Sequence, residues 1–183
     1  MITPIVKDTK VVFGPCRLSY VHVFEKFNPD NVPGGGKYMT VVLIPKEEKE
    51  TMDAVRKAIE TARANGISSK WGGKVPKTLE MPLRDGDDKD DEAFEDQFYI
   101  NAKSSTRPGV VDRNNVPITD EEEVYSGMWA YVSVTFYPYD SNGKKGVACG
   151  LNNIKKFKDG ERFGGRASAE TDFAGIGEED EDL

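Results

Sequence analysis

The chain has 183 residues, a formal net charge of −7 and 31% charged side chains, a size that suits one hydrophobic core carrying an arm or long loops. It contains no run of about 18 apolar residues, and the opening MITPIVKDTK lacks the apolar stretch of a secretory signal, so membrane insertion and export are set aside and a cytosolic protein is expected. Cys16 and Cys149 are far apart with no histidine beside either, which excludes a disulfide framework and zinc-ligand spacing and leaves two buried small residues.

Residues 11–24 and 38–44 are rich in Val, Ile, Leu and aromatics and predict strands, separated by the loop NPDNVPGGGK. The stretch PGGGKY is not a phosphate-binding loop, because Asn31 stands where the first glycine belongs and Tyr38 follows the lysine in place of Ser or Thr. His22, the single histidine, lies among hydrophobic neighbours in SYVHVFEKF with no nucleophile or acid in a catalytic spacing, so it reads as a strand residue. After Pro45 the period changes. Met52, Val55, Ile59 and Ala62 recur at three- and four-residue steps, with Glu47 and Glu48 in the first turn and Gly66 as a stop, predicting an amphipathic helix over 46–65. Residues 67–95 have no period and predict a long functional loop or lid.

Two later strands carry more information. In QFYINAK, residues 97–103, Phe98, Ile100 and Ala102 share one face while Gln97, Tyr99, Asn101 and Lys103 share the other. In MWAYVSVTFYPY, Met128, Ala130, Val132, Val134 and Phe136 alternate with Trp129, Tyr131, Ser133, Thr135, Tyr137 and Tyr139, so an unusually aromatic set emerges on the side away from the core. Asn142-Gly143 then marks a hairpin turn with Lys144 and Lys145 at its tip. Beyond Leu151 the segment NNIKKFKDGERFGGR interleaves Lys155, Lys156, Lys158, Arg162 and Arg166 with Phe157 and Phe163.

The acids sit elsewhere. Eight of them fill residues 85–96 with only Lys89 among them, and seven more, with no base, follow Ala167, where the chain ends in Glu178, Glu179, Asp180, Glu181, Asp182 and Leu183. With both segments set aside the remaining chain carries 24 bases against 17 acids, so a negative protein has a basic body. Asp85, Asp87 and Asp90 are hard oxygen ligands, which keeps open a magnesium-dependent DNA-processing enzyme as the rival reading. The EF-hand pattern fails, however, at Lys89 and Asp90, and a solvated loop is expected with no metal or other cofactor.

Five or six strands with one helix fit a mainly β fold, a small barrel of the oligonucleotide-binding (OB) type spanning 1–163 with an inserted loop and a flexible acidic tail at 164–183, with a β-sandwich as the alternative. Stacking rings combined with cations suit single-stranded nucleic acid, since each stacked base contributes about 1–3 kcal/mol whatever its identity. The candidate rings are Trp129, Tyr131, Tyr137, Tyr139, Tyr99 and Phe157, and the candidate phosphate contacts are Lys103, Arg107, Arg113, Lys144, Lys145, Lys155, Lys156 and Arg162. The same face could instead meet protein, in an adaptor contact or a homodimer. An extended tail spaces its carboxylates at about 3.3–3.6 Å, close to the phosphate spacing of roughly 3.4 Å along one strand, so it can compete with a nucleic acid for the same cations. At roughly 25 Å of flexible reach its effective concentration on its own domain is in the millimolar range. Leu183 supplies an apolar tip that a partner's pocket could take.

At KSSTRPGVVDRN, at EVYSGMWAYVSVTFYPYDSNGKKGVACGLNNIKKFKDGERFGGR and at the acidic end, the chain resembles the phage-encoded single-stranded DNA-binding proteins with an OB fold and an acidic C-terminal tail. The resemblance covers most of the chain. It implies sequence-independent coating of single strands in phage DNA replication, recombination and repair within the infected host's cytoplasm, with the tail contacting replication proteins such as polymerase or helicase.

Overall fold

The computed structural model describes residues 1–164 and 172–177. Its strands are β1 (Ile5–Lys7), β2 (Lys10–Phe27), β3 (Lys37–Pro45), β4 (Leu83–Asp85), β5 (Gln97–Ser104), β6 (Gly109–Val111), β7 (Trp129–Ser141) and β8 (Lys144–Lys158), and a long α-helix, α1 (Lys49–Ser69), follows β3. β5, β3, β2, β7 and β8 are hydrogen-bonded in that order, and a parallel pairing of Ala102 with Cys149 and Lys103 with Gly150 joins β5 back to β8. This closes a five-stranded barrel, which removes the exposed edges an open sheet would leave, and β1, β4 and β6 are short additions to it. The fold is the mainly β, OB-like one expected.

Alternation along the strands fills the barrel. Val11, Phe13, Leu18, Val42, Ile44, Ile100, Ala102, Val132, Val134, Phe136, Leu151 and Ile154 are buried in one cluster with the apolar stripe of α1. That stripe, Met52, Val55, Ala58, Ile59 and Ala62, has the predicted spacing, but the helix runs to Ser69. Gly66 does not stop it. A Cβ there would lie 2.7 Å from both Pro138 and the Trp71 ring, so this glycine is a point of close approach and Trp71 packs into the core beside it. Trp71 Nε1 also donates to the Tyr139 carbonyl at 3.1 Å, which fastens the segment after the helix to β7.

The region expected as a free lid is therefore pinned in several places. Besides Trp71, the backbone at Glu80 bonds Lys145 and Val147, β4 pairs with β5, and Phe94 is fully buried. Phe94 closes a second, smaller cluster on the outer side of the barrel with Val41, Leu43 and Tyr99. Both faces of β3 are thus covered, which is why its VVLI run is continuously apolar. Lys46 ties the acidic loop down through Asp85 at 2.7 Å and Asp87 at 2.6 Å, and Asp85, Asp87 and Asp91 also accept backbone N–H bonds from Asp87, Asp96 and Ala93. The β7–β8 turn forms as predicted, with φ of 51° at Asn142 and 85° at Gly143, the left-handed pair that a two-residue hairpin demands.

Candidate nucleic-acid interface

β7 presents its alternate residues outward as expected: Ala130, Val132, Val134 and Phe136 are buried, while Trp129, Tyr131, Ser133, Thr135, Tyr137 and Tyr139 keep part of their surface in solvent. Cross-strand register decides what stands beside each ring. Trp129 faces Arg17 of β2 and Lys158 of β8, Tyr131 faces Lys155, Ser133 lies between Val12 and Asn153, and Tyr137 faces Ala148.

At the Trp129 end a concavity of about 530 Å³ is lined by Val12, Tyr131, Phe157, Arg113 and Lys155, among others. The Tyr131 and Phe157 rings meet edge to face at 5.6 Å. The Arg113 guanidinium stands 5.1 Å from the Phe157 ring, and Lys158 Nζ stands 5.3 Å from Trp129 and 6.0 Å from Phe157. Cations this close to ring faces leave their charge available to a phosphate while the rings offer stacking surface.

At the other end a concavity of about 390 Å³ brings Tyr137 and Tyr139 together with Lys103, Asn101, Lys37 and Arg84. Tyr137 is 41% exposed. Tyr139 is more constrained. Its hydroxyl donates to Glu80 Oε2 at 2.7 Å, and burial, with this bond and the carboxylate's charge, pushes its pKa up to about 12. Lys144 is exposed at the hairpin tip and Lys145 adjoins this groove, its carbonyl accepting from Glu80 N at 3.0 Å. Between the two ends Asn152 Nδ2 donates to Thr135 at 2.9 Å and reaches Ser133 at 3.4 Å, giving the stripe a polar, ring-free middle.

Of the predicted site residues that line neither groove, Trp129, Lys144 and Lys145 lie beside them, whereas Tyr99, Lys156, Arg107 and Arg162 are engaged elsewhere. Tyr99 is on the outer face of β5 as its alternation required, but it is only 8% exposed and packs edge to face with Phe94 at 5.2 Å, so the loop leaves it no open face. Lys156 points to the other side of β8 and is engaged by the Glu123 carbonyl at 2.6 Å and Asp159 at 2.7 Å, the latter contact helping to hold the Asp159 carboxyl below its usual range. Arg107 lies over Phe24 at 5.1 Å, and Arg162 stacks on Tyr125 at 4.2 Å. The tail residues Glu178, Glu179, Asp180, Glu181, Asp182 and Leu183 lie outside the described residues.

Arg17 was not among the expected cations. It donates to the Gly127 carbonyl at 3.2 Å and to the Glu161 carbonyl, and its guanidinium lies 3.8 Å from the Phe163 ring and 5.9 Å from Trp129. The β2–β7 register puts it there, and a lone arginine in a strand gives no sign of that register. Lys158 belongs to the basic segment noted in the sequence but was not among the candidate contacts, and its place beside Trp129, like those of Arg84 and Lys37, depends on cross-strand pairing. His22 stacks on Phe27 at 4.7 Å, and burial holds its pKa below the usual value. Among the described residues no three His, Cys, Asp or Glu side chains converge as a metal site would require.

The family described as "Enterobacter phage Enc34, ssDNA-binding protein" matches residues 9–183. Protein p50 of Acyrthosiphon pisum secondary endosymbiont phage 1 is 34% identical over 187 residues, covering 94% of this chain and 97% of that protein. The structure of the single-stranded DNA-binding protein from bacteriophage Enc34 in complex with ssDNA superposes with a TM-score of 0.73 at 25% identity, over 88% of this chain and 94% of that one. The single-stranded DNA-binding protein gp2.5 of bacteriophage T7 shares the fold, with a TM-score of 0.59 at 17% identity over 93% and 95% of the two chains. The chain belongs to the Enc34 phage ssDNA-binding protein family.

Proposed function

We propose that this protein binds single-stranded DNA without regard to base sequence, along the outer face of β7 and β8. The observation that carries the reading is the Trp129 end of the stripe, where Tyr131 and Phe157 line an open groove with Arg113 and Lys155, and Lys158 at its edge stands near both Phe157 and Trp129. Family membership supports it independently. From Trp129 to Tyr139 the stripe is roughly 33 Å long at the rise of a β-strand, which suits a footprint within the 4–16 or so nucleotides of an OB fold. Of the acids a magnesium-dependent enzyme would use, Asp85, Asp87 and Asp90, the first two are committed to Lys46 and to backbone amides, and among the described residues no three acids converge as a metal site would require, which disfavours the rival reading.

The finer role follows from the family resemblance and the charge pattern. The protein would coat single strands during phage DNA replication, recombination and repair in the cytoplasm of the infected cell. Its acidic tail would compete with DNA for the basic groove and recruit replication proteins such as polymerase or helicase.

The test is a titration with labelled oligonucleotides in the presence of magnesium, read by tryptophan fluorescence and by product gels. Stoichiometric complexes that form at low salt, leave the DNA intact and weaken steeply with salt are expected. Turnover to products would favour the enzyme, and unchanged oligonucleotide mobility at low salt would favour a protein-binding adaptor. Deleting residues 167–183 should tighten DNA binding, and unchanged affinity would remove the competition.

A further inference from the structure

Tyr20 is the unusual residue of β2. Its φ is +48°, a left-handed backbone that a bulky side chain rarely adopts, and its side chain is 49% exposed. The conformation belongs to a register break in the β2–β3 pairing between Ser19 and His22, which turns the ring out of the sheet. Neighbours hold the break on both sides. Thr40 Oγ1 donates to the Ser19 carbonyl at 3.1 Å, and Val21 N donates to Ser126 Oγ at 3.2 Å. The strained backbone leaves the aromatic ring half exposed instead of burying it in the core.

The ring opens into a concavity of about 580 Å³ shared with Arg17, Arg162 and Phe163. Arg17 is also the neighbour of Trp129, 5.9 Å from its ring, so this concavity continues the aromatic stripe past Trp129 and onto β2. Lys89 Nζ stands 5.6 Å from the Tyr20 ring and also lies near Phe94 and Tyr99, fixing Tyr20 against the rim of the acidic loop. Asp91, Glu92 and Glu161 line the concavity as well. A mixed rim of this kind repels a bare run of phosphates but accepts an uncharged base on the ring, with its phosphate falling to Arg17 and Arg162.

We propose that Tyr20 is a further base-stacking residue, which with Arg17 and Arg162 forms a terminal nucleotide subsite beyond Trp129 on the same bound strand. The inference rests on the single-strand reading above and extends it to residues outside the β7–β8 stripe.

The experiment compares full-length wild type, Tyr20→Phe, Tyr20→Ala and Tyr20→Asn for affinity to oligothymidylates of about 4 and about 16 nucleotides, the limits of an OB-fold footprint, and for melting temperature. Tyr20→Phe should bind as wild type. Tyr20→Ala and Tyr20→Asn should lose about fivefold or more on the long strand and nothing on the short one, which is held at the Trp129 groove. Because Asn tolerates φ above zero, Tyr20→Asn should keep or raise the melting temperature while it weakens binding, a combination that a merely structural tyrosine would not give. Arg162→Gln should lower the salt slope by about 0.7 on the long strand alone. Equal affinity of all variants on both lengths, or an equal loss on short and long strands, would overturn the inference. Failure of the wild type to bind either strand would instead overturn the function proposed above.

Discussion

The two ends of β7's outer face come from one alternating pattern, yet they are built differently. At the Trp129 end the rings meet cations delivered by β2, β8 and the segment after β6, and among the described residues no hydrogen bond ties the Tyr131 hydroxyl. At the Tyr139 end the phenol is held by Glu80, and the backbone behind it accepts from Trp71. An aromatic stripe is therefore not a uniform stacking surface. What distinguishes its ends is which remote segments register, and not β7 itself, delivers to each ring.

The largest effect expected from this contrast is on affinity at the Trp129 end. Trp129→Ala and Tyr131→Ala should each weaken single-strand binding by about 1–3 kcal/mol, measured by titration at fixed salt. Tyr137→Ala should cost near the lower end of that range, and a loss equal to that of Trp129→Ala would erase the asymmetry. Charge gives the next effect. Arg113→Gln should flatten the log affinity against log salt plot by about 0.7, the share of one neutralised phosphate, whereas Lys156→Gln should leave the slope unchanged because its ammonium is already engaged. Tyr139→Phe should barely alter affinity and should lower stability by about 0.5–1.5 kcal/mol, read from denaturant melts, through loss of the Glu80 bond.

The smallest effect concerns pH and the acidic loop. The hydrogen bonds from Lys46 hold the Asp85 and Asp87 carboxyls below their ordinary pKa. Their contribution to stability is present above the free-aspartate value of about 3.9 and is lost as pH falls through the lower folded value. Lys46→Met should therefore melt at a lower temperature than wild type near neutrality, with the gap narrowing in acid. A gap that is constant with pH would show that the Lys46 ion pairs do not hold the loop.

Much of this was legible in the sequence. The period-2 pattern of 128–136 gave the inner and outer faces of β7, and Asn142-Gly143 gave the turn, because both signals are local. The helix was placed but cut short, since Gly66 reads as a terminator unless Trp71 and Pro138 are known to crowd it. Alternation put Tyr99 on the outer face correctly, but the cover that buries it comes from Phe94, in a loop whose composition suggested only solvent. Arg17 and Tyr20 were not visible for a related reason. One depends on the β2–β7 register and the other on a break in the β2–β3 register, and neither can be deduced from a strand taken by itself.

The account's central claim is tested most directly by ultraviolet cross-linking of the full-length protein to an oligothymidylate, followed by mass spectrometry of the joined peptides. Cross-links concentrated at Trp129, Tyr131 and Phe157, with weaker ones at Tyr137, are the predicted result. Cross-links confined to rings away from that face, such as Phe27, Tyr38 or Phe98, would contradict it.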